Sequence, residues 1–112
     1  MTILVVDDEP HVVEVIDEVL RAAGYGVEVT TDPRAALALV EEHPERYSLL
    51  CTDISMPDMS GVYLAAAAQK LAPHLPVLFI SGSFREVPPD GLLLSKPFRR
   101  QELEAAVASA LA

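Results

Sequence analysis

Apolar and polar positions change their period along the chain. Ile3–Val6 is a short, wholly apolar, mostly β-branched run, the pattern of a strand buried on both faces as in a parallel sheet. Val12, Val15, Ile16, Val19 and Leu20 follow at the spacing of one helix face, with Pro10 near the start and Gly24 and Gly26 after the end. Val27–Thr30 reads as a second strand. Asp32-Pro33 supplies an N-cap and a first-turn proline for a helix whose apolar face is Ala36, Leu37 and Val40, with Pro44 beyond it. Ser48–Thr52 is a third strand, and a loop runs from Asp53 to Ser60. Gly61–Ala72 is an alanine-rich helix. Val77–Ile80 and Leu92–Leu94 read as the fourth and fifth strands. The last helix begins near Arg99 and presents Leu103, Val107, Ala110 and Leu111.

Strands alternating with helices predict βα units, right-handed crossovers and a single parallel sheet. The segment from Ser81 to Leu92 departs from this rhythm. It contains Pro88-Pro89 and two glycines, Gly82 and Gly91, so at most about one helical turn is expected there.

Composition narrows the function classes. The 112 residues suit one domain, and 51% are apolar, which argues against disorder. A net charge of −9 argues against a direct nucleic-acid grip, which needs clustered Lys and Arg. No apolar run reaches the roughly 18 residues that cross a membrane, and Met1-Thr2 leads into the first strand without a signal-peptide pattern, so a cytoplasmic location is expected. Cys51, the single cysteine, excludes an internal disulfide and reads as a small buried hydrophobe.

In an open parallel sheet, ligands bind beyond the carboxyl ends of the strands. The polar residues following the strands are Asp7-Asp8-Glu9 after the first, Asp53 after the third, Ser81 after the fourth and Lys96 after the fifth. Each alone has a plain reading: a helix cap, a turn or a solvated side chain. Together, Asp7, Asp8 and Asp53 put three carboxylates on one edge, with the Ser81 hydroxyl and the Lys96 ammonium. Crowded carboxylates raise one another's proton affinity or recruit a cation. Hard oxygen donors suit Mg²⁺. A carboxylate can attack phosphorus, a lysine can neutralise phosphoryl oxygens, and a hydroxyl can donate to one of them.

The text Ile3-Leu4-Val5-Val6-Asp7-Asp8-Glu9-Pro10, Asp53-Ile54-Ser55-Met56-Pro57-Asp58-Met59-Ser60-Gly61, Pro76-Val77-Leu78-Phe79-Ile80-Ser81-Gly82 and Lys96-Pro97-Phe98 resembles the response-regulator receiver family across nearly the whole chain. The resemblance implies one receiver domain over 1–112. Its fold would be flavodoxin-like and doubly wound, with five parallel strands in order 2-1-3-4-5, helices on both faces, and the helix between the fourth and fifth strands shortened or absent. It implies Asp53 as phosphoacceptor, with Lys96 and Ser81 contacting the phosphoryl group. Mg²⁺ would be held by Asp7, Asp8, Asp53 and the backbone carbonyl of Ser55. Met56-Pro57 and Gly61 would shape the turn after the acceptor, and the Lys96-Pro97 bond would be cis. Ser55 and Ser83 would flank the phosphoryl group and tune its hydrolysis. The implied donor is a sensor histidine kinase or histidine phosphotransfer protein. The signal would pass to an output domain or partner protein, and the domain would support only its own phosphorylation and dephosphorylation.

Leu93 stands where similar receivers carry an aromatic residue, which weakens the usual coupling to Ser81. The short segment before Lys96 resembles receivers of hybrid histidine kinases, and it reduces the face through which similar proteins form symmetric dimers. Two other functions fit less well. A degenerate receiver, binding partners without phosphorylation, would be expected to lack an acid or the lysine. A phosphatase of the haloacid-dehalogenase kind would carry Asp two residues after its nucleophile, where Ser55 stands. The first turn has acids rather than a glycine-rich loop, against dinucleotide binding. His11, His43 and His74 read as solvated, and Met56 and Met59 as loop packing.

Overall fold

The structure is a computed structural model and describes residues 1–82 and 91–112. The elements run β1 (Thr2–Val6), α1 (Pro10–Ala22), β2 (Gly26–Thr30), α2 (Pro33–Glu42), β3 (Leu49–Asp53), α3 (Gly61–Leu71), β4 (Val77–Ser81), β5 (Leu92–Ser95) and α4 (Arg100–Leu111). All pairings are parallel and the strand order is β2-β1-β3-β4-β5. The expected doubly wound sheet is therefore present. The expected short turn before the fifth strand, and Ser83, lie outside the described residues.

Burial follows position in the sheet. Every residue of β3 and β4 is buried, whereas the edge strands β2 and β5 each bury one residue, Val27 and Leu94. Period-two alternation then divides the interior. Ile3, Val5, Cys51, Leu78 and Ile80 face α1 and α4, and Leu4, Val6, Leu50, Val77 and Phe79 face α2 and α3. Burial pushes the Cys51 thiol up to about 12, which keeps it protonated and unreactive.

Three helix faces differ from the sequence reading. α1 buries Val13, Ile16, Val19 and Leu20, while Val15 stands 48% exposed and Val12 is half-buried. Six apolar residues between Val12 and Leu20 cover more than one stripe, so spacing alone does not choose which stripe meets the sheet. On α2 and α4, Leu37 and Leu111 lie at the core margin rather than within it. The caps match expectation more closely. The Asp32 carboxylate accepts from the Arg34 N–H at 2.9 Å, Pro10 and Pro33 open their helices, and Gly24 ends the first helical unit at φ +98°.

One glycine fixes the approach of α3 to the end of β3. The Gly61 N–H donates to the Ile54 carbonyl at 2.8 Å. A Cβ on Gly61 would lie 2.0 Å from the Asp53 carbonyl oxygen and 2.9 Å from its carbon. Backbone cannot move aside as a side-chain tip can, so only glycine fits. Gly61→Ala should therefore lose about 1–3 kcal/mol of unfolding free energy in urea titrations. Gly82→Ala, whose added methyl meets nothing within 4 Å among the described residues, should change stability by no more than about 0.5 kcal/mol. Equal losses for the two would contradict this account.

Candidate functional site

Parallel strands all point their carboxyl ends at one edge, and β1, β3 and β4 are the three central strands. Residues at their ends are thus brought together without long loops. Asp7 follows β1 and is 1% exposed; Asp53 ends β3 at 6%; Ser81 ends β4 and is also buried. The sequence placed Asp53 and Ser81 just outside their strands. The structure pairs Asp53 with Ile80 and Ser81 with Ser95, so both are last residues of the sheet and inherit its rigidity.

One carboxylate oxygen each from Asp7, Asp8 and Asp53 can be chosen so that all lie within 4.8 Å of one another. Lys96 reaches this cluster from the far side of the sheet. Its ammonium donates to Asp7 Oδ2 at 2.8 Å and lies 3.6 Å from Asp53 Oδ1. The Lys96 backbone N–H donates to the Ser81 carbonyl at 2.9 Å, so lysine and serine positions are tied directly. The Lys96-Pro97 bond is cis, as the resemblance implied.

Asp7 Oδ1 accepts from the Glu9 N–H at 3.0 Å, an Asx turn leading into α1, while Oδ2 holds Lys96. The N-cap of α1 is Glu9, without a side-chain cap, so neither Asp7 nor Asp8 caps the helix. Asp8 is half-buried and shares a shallow recess with Ile54, Ser55, Met56, Pro57 and Ser60. The loop after β3 therefore borders the acid cluster, with Ser55 and Asp8 lining the same recess. His11, His43 and His74 are exposed, as expected.

Electrostatics follow from this crowding. Asp53 is pushed up to about 6, first by burial and then by the Asp7 carboxylate, with Asp8 adding to the rise and Lys96 opposing it. Burial alone would lower Lys96. The hydrogen bond and charge of Asp7, then Asp53 and Glu9, outweigh it and raise the ammonium above its ordinary value. Lysine is thus held charged. Three carboxylates against one ammonium leave negative charge in excess, and all of the donors are hard oxygens. This set fits a divalent cation such as Mg²⁺, which takes one or two carboxylates, waters and a phosphate oxygen.

Glu9, placed by the sequence after the first strand without an assigned role, also belongs to this field through its charge on Lys96. Elsewhere, Tyr47 Oη donates to Glu28 Oε1 at 2.7 Å and Arg46 Nη2 pairs with Glu28 Oε2 at 2.6 Å. That trio ties the β2 edge to the start of β3. No sequence spacing announced it, because its members are far apart along the chain.

Comparison with known proteins gives a consistent result. The family model for the response regulator receiver domain matches residues 3–89. The response regulator receiver protein CpdR of Brucella abortus is 34% identical over 108 residues, covering 90% of this chain and 88% of that protein. The response regulator protein TodT of Pseudomonas putida is 28% identical over 97% of this chain, which spans only 50% of TodT. Among solved structures, the receiver domain of the hybrid histidine kinase CckA superposes with a TM-score of 0.89 at 34% identity, covering 100% of both chains.

The raised Asp53 has a consequence for stability. Its carboxyl binds a proton more tightly folded, at about 6, than at the ordinary 3.8 of an unfolded chain. Stability from this group is therefore greatest below about pH 4 and falls as pH rises through about 6. Asp53→Asn removes that fall. In metal-free buffer the variant should be more stable than wild type by about 1–2 kcal/mol at pH 7.5, with the gap closing towards pH 4. Thermal melts across that range test it; a gap independent of pH would overturn the assignment.

Proposed function

The chain belongs to the response-regulator receiver family, and on that premise we propose that it is a two-component phosphoacceptor switch that takes a phosphoryl group on Asp53. The observation that carries this reading is the Asp53 carboxylate at the end of a fully buried strand, beside two further carboxylates and within 3.6 Å of a charged lysine. The donor is a phosphohistidine of a sensor histidine kinase or histidine phosphotransfer protein.

Transfer makes one bond and breaks one. An Asp53 Oδ attacks phosphorus, the P–N bond to the donor imidazole breaks, and its electron pair returns to the ring. At neutral pH Asp53 is mostly ionised, as a nucleophile must be, because its value of about 6 lies below ambient. Lys96 leaves its contact with Asp7 to pair with a phosphoryl oxygen, and the Ser81 hydroxyl donates to another. Asp7, Asp8, Asp53 and the Ser55 backbone carbonyl would hold Mg²⁺, which supplies positive charge against the phosphoryl oxygens. Gly61 keeps the acceptor backbone fixed during the exchange. An apolar groove formed by Val12, Val15, Pro97 and Phe98 beside Lys96 offers a dry surface next to the acceptor for the donor protein.

The domain turns over no separate metabolite. It promotes its own phosphorylation and dephosphorylation, acts in the cytoplasm, and passes the signal to an output domain or partner protein through the β4–β5 end of the sheet. No described helix is long and apolar enough to cross a membrane.

Incubation with acetyl phosphate and Mg²⁺ should add one phosphoryl mass to wild type. Chelation of the metal should abolish the adduct, and Asp53→Asn should acquire none. Intact-mass spectrometry at short times reads all three. A folded wild type that neither gains the adduct nor binds a beryllofluoride–Mg²⁺ mimic would instead be a receiver that works by binding alone.

A further inference from the structure

The outer face of α2 and α3 carries an apolar groove that phosphoryl transfer does not use. Leu37 and Glu41 of α2 line it opposite Tyr63, Ala67, Lys70 and Leu71 of α3. Tyr63 is 62% exposed and Leu71 is 39% exposed. Single exposed apolar side chains are ordinary. A tyrosine and a leucine on one helical stripe, flanking alanines beside a second helix, form a surface suited to contact.

The pattern is complementary to itself. Tyr63 and Leu71 are equidistant from Ala67 along α3. A second α3 crossing antiparallel at Ala67 therefore sets the Tyr63 ring of each copy over the Leu71 of the other, and alanine at the crossing lets the backbones approach. On α2, Arg34, Leu37 and Glu41 share a stripe at i, i+3 and i+7. Arg34 is at the start of this helix, and Glu41 and Glu42 are at its end. The same two-fold axis runs α2 antiparallel to its copy and brings Arg34 towards the other copy's Glu41 and Glu42. A parallel arrangement would set like charges against each other. Among the described residues, neither Arg34 nor Glu41 is in an ion pair within its own chain.

We propose that the α2–α3 face binds a second copy of this chain about a two-fold axis passing near Ala67. The antiparallel geometry turns the two Asp53 edges to opposite ends of the pair and leaves both open. Pairing through this face is independent of the chemistry at Asp53.

Sedimentation equilibrium of the full, unphosphorylated chain tests it. A patch of this size predicts a weak dimer, with mass rising from one copy to two between about 10 µM and about 1 mM. Tyr63→Glu with Leu71→Glu should weaken association at least tenfold while circular dichroism remains native. Arg34→Glu should weaken it, and adding Glu41→Arg with Glu42→Arg should restore it, a rescue that misfolding cannot produce. Ala67→Cys should cross-link on oxidation, whereas wild type, with Cys51 buried, should not. A mass of one copy at about 1 mM would overturn the proposal and leave the groove to a different protein. A dimer indifferent to the Tyr63, Leu71 and charge-swap variants would overturn it equally.

Discussion

The ion pair between Lys96 and Asp7 is the contact on which the site depends. It closes a gap of 89 residues in sequence at 2.8 Å. It also joins the loop after β5 to the loop after β1, across the two intervening strands β3 and β4. Asp7 is nearly inaccessible, and an isolated charge there would carry a large desolvation cost. Lys96 offsets that cost while keeping its own ammonium within reach of Asp53. The pair therefore stabilises the folded edge and holds the lysine close to where a phosphoryl group would arrive. A buried pair of this kind contributes little net stability compared with apolar packing, so its placement is better explained by chemistry than by folding.

Rigidity beneath that pair comes from the central strands. β3 and β4 are buried along their full length and packed on both faces, so the last residue of each is held as firmly as the middle. Gly61 extends this to the loop that follows. Its missing Cβ lets α3 seat against the Asp53 carbonyl, which fixes the Asp53 backbone from the other side. Electrostatic stabilisation of a transfer depends on such preorganisation, because groups already in place need not reorganise during the step.

Much of this was legible in the sequence, for identifiable reasons. Wholly apolar strands such as Ile3–Val6 announce a sheet covered on both faces, and the strand-end rule then collects Asp7, Asp8, Asp53, Ser81 and Lys96 without knowledge of distances. Less was visible where the code is degenerate. The apolar residues of α1 span too wide an arc to show that Val13 rather than Val15 faces the sheet. The necessity of Gly61 arises from a backbone contact with Asp53, which no spacing encodes. The bridge from Glu28 to Arg46 and Tyr47 joins residues whose types are ordinary on any surface. Element ends shifted by a residue or so because ladder pairing, not composition, determines where a strand stops.

Charge accounting at the edge links the fold to switching. Three carboxylates and one ammonium make a site with surplus negative charge, with Asp7 and Asp8 supplied by the loop after β1 and Asp53 by the end of β3. On the proposed function, an acyl phosphate at Asp53 would add further negative charge and move it outward from the strand end. Lys96 would then have two competing anions, the buried Asp7 and the new phosphoryl group. Its backbone cannot follow freely, because its N–H is held by the Ser81 carbonyl. On the proposed function, a shift of the lysine towards phosphate would pull on the β4–β5 end of the sheet through that bond. Leu93 lies in that region and packs against the α2–α3 core. With an aliphatic side chain at position 93, the Lys96–Ser81 backbone connection is the link from Asp53 to the surface that the proposed function would use.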